Sequence, residues 1–246
     1  MSLADDAERL RDIALSVLSA DLERGQRLRL RVGPLYADFS RQLVDVAALD
    51  TLLAVADHAE LARFRRAFAD GEPLNTTEGR AALHHSLRAR ADDVPEGSMR
   101  SAQAAATEAS SRVQVWVRRL LDEGLGESQP VRDVVNVGIG GSDLGPRLLD
   151  AAIADPIHGP RLHFVSSIDA HRAADLIATL DPATTVVVLV SKSFHTEETL
   201  LNGRLFVDWL TAALGEAAMQ RRVFAVTANV EAAQRFGVDG ERCLPI

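Results

Sequence analysis

Thr185-Val186-Val187-Val188-Leu189-Val190-Ser191-Lys192-Ser193-Phe194-His195-Thr196-Glu197-Glu198 is the stretch from which the fold is read. Residues 185–190 are β-branched or leucine throughout, as a strand buried on both faces of a sheet requires. A short loop of hydroxyl residues follows, carrying one cation, one aromatic ring and one imidazole. A helix then begins with Glu197 and Glu198, whose carboxylates suit the positive end of a helix dipole. A strand running through a brief loop into a helix is half of a βαβ unit.

Working outward, the same pattern repeats. Residues 134–137, 162–165 and 223–226 are further β-rich apolar runs, and residues 145–154, 170–179 and 198–214 carry helical spacing between them. This alternation predicts an α/β protein, a three-layer α/β/α sandwich around a parallel sheet, over residues 127–246. Right-handed crossovers place every strand-to-helix loop at the same sheet edge, where ligands bind in such folds.

Residues 1–126 read instead as a helical region rich in Ala, Leu, Arg, Glu and Asp. Helical patterns are predicted over 4–22, 43–68 and 98–121, the last closed by Gly124 and Gly126. Residues 25–34 and 70–73 read as breaks, and Asn75-Thr76-Thr77-Glu78 offers N-cap residues for a helix over 80–90.

The 246 residues are 47% hydrophobic and 25% charged, with a formal net charge of −8. That sign does not favour nucleic acid or an anionic membrane, so an anionic ligand would be held by local donors against the overall field. Cys243 is the single cysteine, which excludes an internal disulfide and a zinc site built on several thiolates. The first ten residues are acidic and lack the apolar core of a signal peptide, and no apolar run approaches the ~18 residues of a membrane span. The expectation is a cytoplasmic protein.

Two loops carry the candidate chemistry. In Gly138-Ile139-Gly140-Gly141-Ser142 the glycines let the backbone turn sharply and approach a ligand, the following helix directs N–H groups at it, and Ser142 adds a hydroxyl. The motif is neither G-x-G-x-x-G nor a nucleotide P-loop. A turn without a ligand and an anion site both fit it. Dinucleotide binding, with Asp169 as a ribose ligand, is a weaker third reading. In the second loop Ser191, Ser193 and Thr196 supply hydroxyls, and Lys192 supplies charge or only its main-chain N–H. His195 either donates to the anion or lies beside it. A metal site is not expected: Glu198 is the one nearby partner for His195, and His84 and His85 are adjacent, so on a helix they point in different directions. Glu197 and Glu198 read first as helix-capping residues.

At this point the residues resemble the glucose-6-phosphate isomerase (phosphoglucose isomerase) family. The eleven residues 136–146, N-V-G-I-G-G-S-D-L-G-P, closely resemble a segment typical of it. Residues 191–199 resemble a second, usually S-K-T-F-T-T-x-E-T, and residues 36–42, 75–84, 164–169 and 181–185 match further segments in family order. The resemblance implies the sugar-isomerase fold and interconversion of glucose 6-phosphate and fructose 6-phosphate through a cis-enediol. It implies no metal or organic cofactor, and a homodimer for the full-length form. It assigns the substrate phosphate to Gly141, Ser142, Ser191, Ser193 and Thr196, with Lys192 and His195 in the same loop. Ser193 and His195 both stand where the family usually has Thr, and the imidazole raises the expectation of a pH-dependent phosphate affinity. Glu198 matches a glutamate that borders the substrate. The family's G-G-R-[YF]-S segment, its Q-x-x-M-E-S base and its histidine and lysine segments do not occur in these residues. The sequence therefore reads as an N-terminal piece that holds the phosphate half of an active site and does not isomerise by itself. The competing expectation is a non-catalytic sugar-phosphate-binding module. The N-terminal third shows no basic recognition helix that would make it a DNA-binding sensor.

Overall fold

The structure, a computed structural model of the chain, describes residues 2–90, 94, 97–122, 129–153 and 159–246. It forms two compact units, 1–102 and 103–246, divided within one long helix. Gly124, Gly126, Ala154 and the expected domain boundary at 126 lie outside the described residues.

The N-terminal unit contains α1 (Leu3–Leu10), α2 (Leu15–Ser19), α3 (Leu22–Arg27), β1 (Arg29–Val32), β2 (Leu35–Asp38), α4 (Val46–His58) and α5 (Leu61–Ala69), and the start of α6 (Ser98–Asp122). Three expectations are corrected here. The pattern over 4–22 is split into α1 and α2, and just beyond it the buried guanidinium of Arg24 donates to the carbonyls of Leu18, Gln42 and Val44 at 3.1, 2.6 and 2.6 Å. Of these only the Leu18 carbonyl lies within the pattern, in the last turn of α2, where carbonyls lack a partner four residues on. The pattern over 43–68 is broken by Glu60 in the left-handed region at φ 51°. No helix spans 80–90. Asn75 Oδ1 accepts from the Glu78 N–H at 3.1 Å, the chain reverses at Gly79 (φ +65°), and only a 3₁₀ turn at His84–Arg88 forms. The segment 25–34, read as a break, holds the end of α3 and most of a β-hairpin whose two-residue connection is Gly33-Pro34.

The second unit contains most of α6, then β3 (Asp133–Val137), α7 (Gly141–Ile153), β4 (Arg161–Val165), α8 (Ala170–Thr179), β5 (Thr185–Val190), α9 (Glu197–Leu214), α10 (Glu216–Arg222), β6 (Val223–Val226), α11 (Val230–Phe236) and β7 (Cys243–Leu244). The five strands form one parallel sheet in the order β4-β3-β5-β6-β7. The α/β class is as expected. The last two helices and the short edge strand were not anticipated: seven-residue helices and a two-residue strand carry too little periodicity to be seen.

Alternating strand residues feed two cores. Val135, Val137, Val187, Leu189 and Ala225 pack with residues of α8 to α11, among them Leu176, Phe206, Leu210, Met219 and Ala233. On the opposite face Val186 and Phe224 pack with Val131 and with Trp116 and Leu120 of α6. The Trp116 indole meets Phe224 edge-on at 5.2 Å and donates to the Glu241 carbonyl at 3.1 Å. At the amino edge of the sheet buried Asp133 accepts from Arg161 of β4 at 2.9 Å and lies 2.8 Å from His163 Nε2. Burial pushes that carboxyl up, but the bonds and charges of Arg161 and His163 outweigh it and hold the group below its usual range. This ion cluster clamps β3 to β4 at the end remote from the strand-to-helix loops.

Candidate functional site

The sheet order decides where a site can form. The chain leaves β3 towards β4 on one side, and leaves β5 towards β6 on the other. These two strands are neighbours, with Val137 opposite Leu189. Their outgoing loops, 138–142 and 191–196, therefore diverge from a common point and leave a crevice at the carboxyl edge. This is the switch point at which open parallel sheets place ligands.

The first loop is shaped by close approach. A Cβ on Gly138 would lie 2.8 Å from Ser142 Cβ and 3.0 Å from the Val190 carbonyl oxygen, so only glycine lets the two loops come this near. Gly140 occupies the left-handed region at φ +60°. The Asn136 amide donates to the Ser142 carbonyl at 3.0 Å, tying the loop to its strand. Asp143, buried in the first turn of α7, accepts from Arg147 Nη2 at 2.8 Å, and that guanidinium lies 4.8 Å from the ring centroid of Phe164.

The second loop is shaped by side chains. Phe194 is only 2% exposed and meets Phe236 edge-on at 5.8 Å, with its backbone at φ 55°. A left-handed non-glycine residue costs on the order of 1–2 kcal/mol, and the buried ring holds it there. The Phe194 N–H donates to Ser191 Oγ at 3.1 Å, and Ser191 Oγ lies 3.2 Å from Thr196 Oγ1. Thr196 is the N-cap residue of α9 but makes no side-chain cap bond, so the free first-turn N–H groups of this 18-residue helix are not consumed by it. Buried Thr199, one turn in, has a hydroxyl without a partner among the described residues.

A third loop completes the arrangement. After β6, Thr227 Oγ1 and the Ala228 N–H both donate to the Lys192 carbonyl, at 3.2 and 3.0 Å. The Asn229 amide donates to the Ser193 carbonyl at 3.1 Å.

Between the loops lies an open cleft of about 610 Å³. Of the residues singled out from sequence, Ser142, Ser191, Lys192, Ser193 and Thr196 line it. Gly141 begins α7 beside it without lining it, and His195 is exposed and off its wall. Sequence reasoning missed Thr199 and Asn229, which also line it. Two polar residues, Thr227 and Asn229, directly after a β-run were the available signal for the latter. Asp169, the weak ribose candidate, caps α8 by accepting from the His171 N–H at 3.0 Å, and pairs with that imidazole at 2.7 Å. Glu197 and Glu198 stand in the first turn of α9 and do not line the cleft. His84 and His85 lie in the other unit around Phe68, at ring distances of 5.6 and 4.4 Å. Among the described residues no three His, Cys, Asp or Glu side chains are grouped to hold a metal ion, and no helix is long and apolar enough to cross a membrane.

The family model for phosphoglucose isomerase matches residues 38–246. A glucose-6-phosphate isomerase from Stenotrophomonas maltophilia is 45% identical over 249 aligned residues, covering 100% of this chain and 46% of the relative. One from Xanthomonas oryzae pv. oryzae is 44% identical, covering 98% of this chain and 45% of the relative. The crystal structure of a glucose-6-phosphate isomerase from Chlamydia trachomatis superposes with a TM-score of 0.73 at 27% identity, over 99% of this chain and 46% of that one. The chain thus spans just under half the length of the relatives it matches. Read together with a parallel sheet whose switch-point loops carry the motifs at 136–146 and 191–199, the match over 38–246 places this chain in the phosphoglucose isomerase family.

Proposed function

We propose that this chain supplies the phosphate-recognition half of an aldose–ketose isomerase acting on glucose 6-phosphate and fructose 6-phosphate. The observation that carries the reading is the convergence of Ser142, Ser191, Ser193 and Thr196, from two neighbouring strand loops, on one cleft that also holds Lys192. A phosphate monoester has oxygens that accept hydrogen bonds from several directions at once. Hydroxyl donors on two sides, with the uncapped N–H groups of α9 at the wall, match that demand. Gly141 belongs to the reading through its place at the start of α7, next to Ser142. His195 is exposed and is not among the residues that line the cleft, so the reading gives it no contact with the phosphate.

Moving a proton between the two sugar carbons needs a base within hydrogen-bond reach of them. No carboxylate and no imidazole lines the cleft among the described residues. In this reading binding and orientation are the work of these residues, and no isomerisation is expected of the chain by itself. A homodimer is proposed for the whole enzyme; this chain spans just under half the length of the relatives it matches. The lack of a lining base equally suits a non-catalytic sugar-phosphate-binding module, and the two readings share the same phosphate site.

Thermal unfolding with and without glucose 6-phosphate tests the site. A ligand at 100 times its Kd stabilises the folded state by about 2.7 kcal/mol, which for a chain of this size raises the midpoint by roughly 5 °C or more. Ser142→Ala should remove most of that shift. An unmoved midpoint at saturating ligand would sink the phosphate site. An aldose–ketose assay on the same protein is expected to read no activity above a Ser142→Ala control.

A further inference from the structure

We propose that Thr227 and Asn229, in the loop after β6, are positioning residues that set the phosphate site by holding two carbonyls of the neighbouring loop turned away from it. The inference rests on the phosphate reading of the cleft. Neither residue is among those the sequence motifs single out for the site.

The argument begins with a peptide plane. In a trans peptide the C=O of one residue and the N–H of the next point in opposite directions. The Lys192 carbonyl is gripped from the β6 side by two donors, Thr227 Oγ1 at 3.2 Å and the Ala228 N–H at 3.0 Å. Since β5 lies between β3 and β6, a carbonyl drawn towards β6 sends the Ser193 N–H towards β3, where Ser142 stands across the cleft. That N–H has no protein acceptor among the described residues. The Asn229 amide nitrogen holds the next carbonyl, that of Ser193, at 3.1 Å.

Both side chains are fully engaged in this task. The Thr227 residue is 1% exposed, and its hydroxyl donates to Lys192 while accepting from the Asn229 N–H at 3.0 Å. The Asn229 amide donates to Ser193 and accepts from the Ala232 N–H at 3.1 Å, capping α11. Two bonds therefore run in series from the Asn229 N–H through Thr227 to the Lys192 carbonyl. Without them the Lys192 carbonyl keeps the Ala228 N–H as its one donor from the β6 side, and the 192–193 peptide can tilt so that its N–H turns away from the cleft and its carbonyl oxygen towards the ligand, which would repel a phosphate.

The test is titration of glucose 6-phosphate into the full chain, with inorganic phosphate as the probe in a parallel ¹H–¹⁵N spectrum. Thr227→Val keeps the shape and removes the hydroxyl. Thr227→Ser keeps the hydroxyl. Asn229→Ser keeps an N-cap for α11 and removes the amide donor. We expect Thr227→Val and Asn229→Ser each to weaken binding about tenfold, a loss of ~1.4 kcal/mol. Thr227→Ser should stay within about twofold of wild type, since it retains the bond. Phosphate should shift the Ser193 amide proton downfield in wild type and Thr227→Ser, and less in Thr227→Val. Should Thr227→Val fail to fold by circular dichroism, Asn229→Ser decides alone. Affinities and Ser193 shifts indistinguishable from wild type in the folded variants would overturn the positioning role. Ser142→Ala weakening in the same series would then leave the phosphate site standing. No binding by folded wild type would remove both.

Discussion

Residues 138–142 hold their shape through what glycine lacks, whereas residues 191–196 hold theirs through what side chains supply. In the first loop the decisive feature is the empty space at Gly138, into which the Val190 carbonyl and Ser142 fit. In the second it is a buried phenylalanine in a left-handed backbone, locked by Phe236 and by the Ser191 hydroxyl. The difference teaches that the same cleft is vulnerable to an added atom on one wall and to a removed atom on the other.

The largest expected effect is on the second loop. Phe194→Ala removes a ring that is 2% exposed and should cost about 3 kcal/mol in urea denaturation. The comparison sharpens with Phe194→Gly, which loses the same ring but relieves the positive φ. It should be more stable than Phe194→Ala by about 1 kcal/mol. If alanine proves the more stable of the two, the strain assigned to this residue is wrong.

Gly138→Ala comes next. The new methyl meets Ser142 Cβ at 2.8 Å and two backbone oxygens, those of Ser142 and Val190, at 2.9 and 3.0 Å. Overpacking of this kind costs about 1–3 kcal/mol. Because the loops are forced apart, affinity for glucose 6-phosphate should also fall, by roughly tenfold or more, the scale set by one lost donor. Calorimetry on the folded variant reads this directly, and unchanged affinity would break the claim that close approach forms the cleft.

Gly140→Ala separates space from conformation. Nothing lies within 4 Å of the Cβ position, and only the φ of +60° opposes the change. A loss of about 1 kcal/mol in stability is expected, smaller than at Gly138. Smallest of all is His195→Thr. The imidazole is exposed and off the wall, so affinity should change less than about twofold, within the range of ordinary surface substitutions. Its pH profile between 5.5 and 8 should match wild type once the ligand's own titration is allowed for. A pH-dependent difference would restore the role that the sequence motif suggested for this residue.

The same contrast explains what was legible beforehand. The strand at 185–190 and the helix at 170–179 are visible because each pattern is local and long enough to repeat. The two loops are visible because a strand, a polar turn and a helix start follow one another along the chain. Within the cleft, Ser142, Ser191, Lys192, Ser193 and Thr196 all come from those loops. Asn229 could be seen only as a polar residue after a β-run; its place in the wall was hidden, since its partner Ser193 lies 36 positions away. Thr199 was hidden for a simpler reason, that a hydroxyl inside a helix reads as filler until its burial and missing partner are known. In the N-terminal unit the long-range bonds of one buried side chain were equally hidden. Arg24 takes carbonyls from residues 18, 42 and 44, and no hydrophobic spacing reports that.

By itself, then, the sequence determined the alternation of strand and helix, the class of the sheet and the two loops richest in donors, because all of these follow from neighbours along the chain. Only the tertiary structure decided that β3 and β5 stand side by side with their loops diverging, that Gly138 must admit the Val190 carbonyl, and that a third loop grips the second. Those features depend on atoms brought together across tens of residues, and packing and hydrogen-bond geometry, not local pattern, select which of them meet.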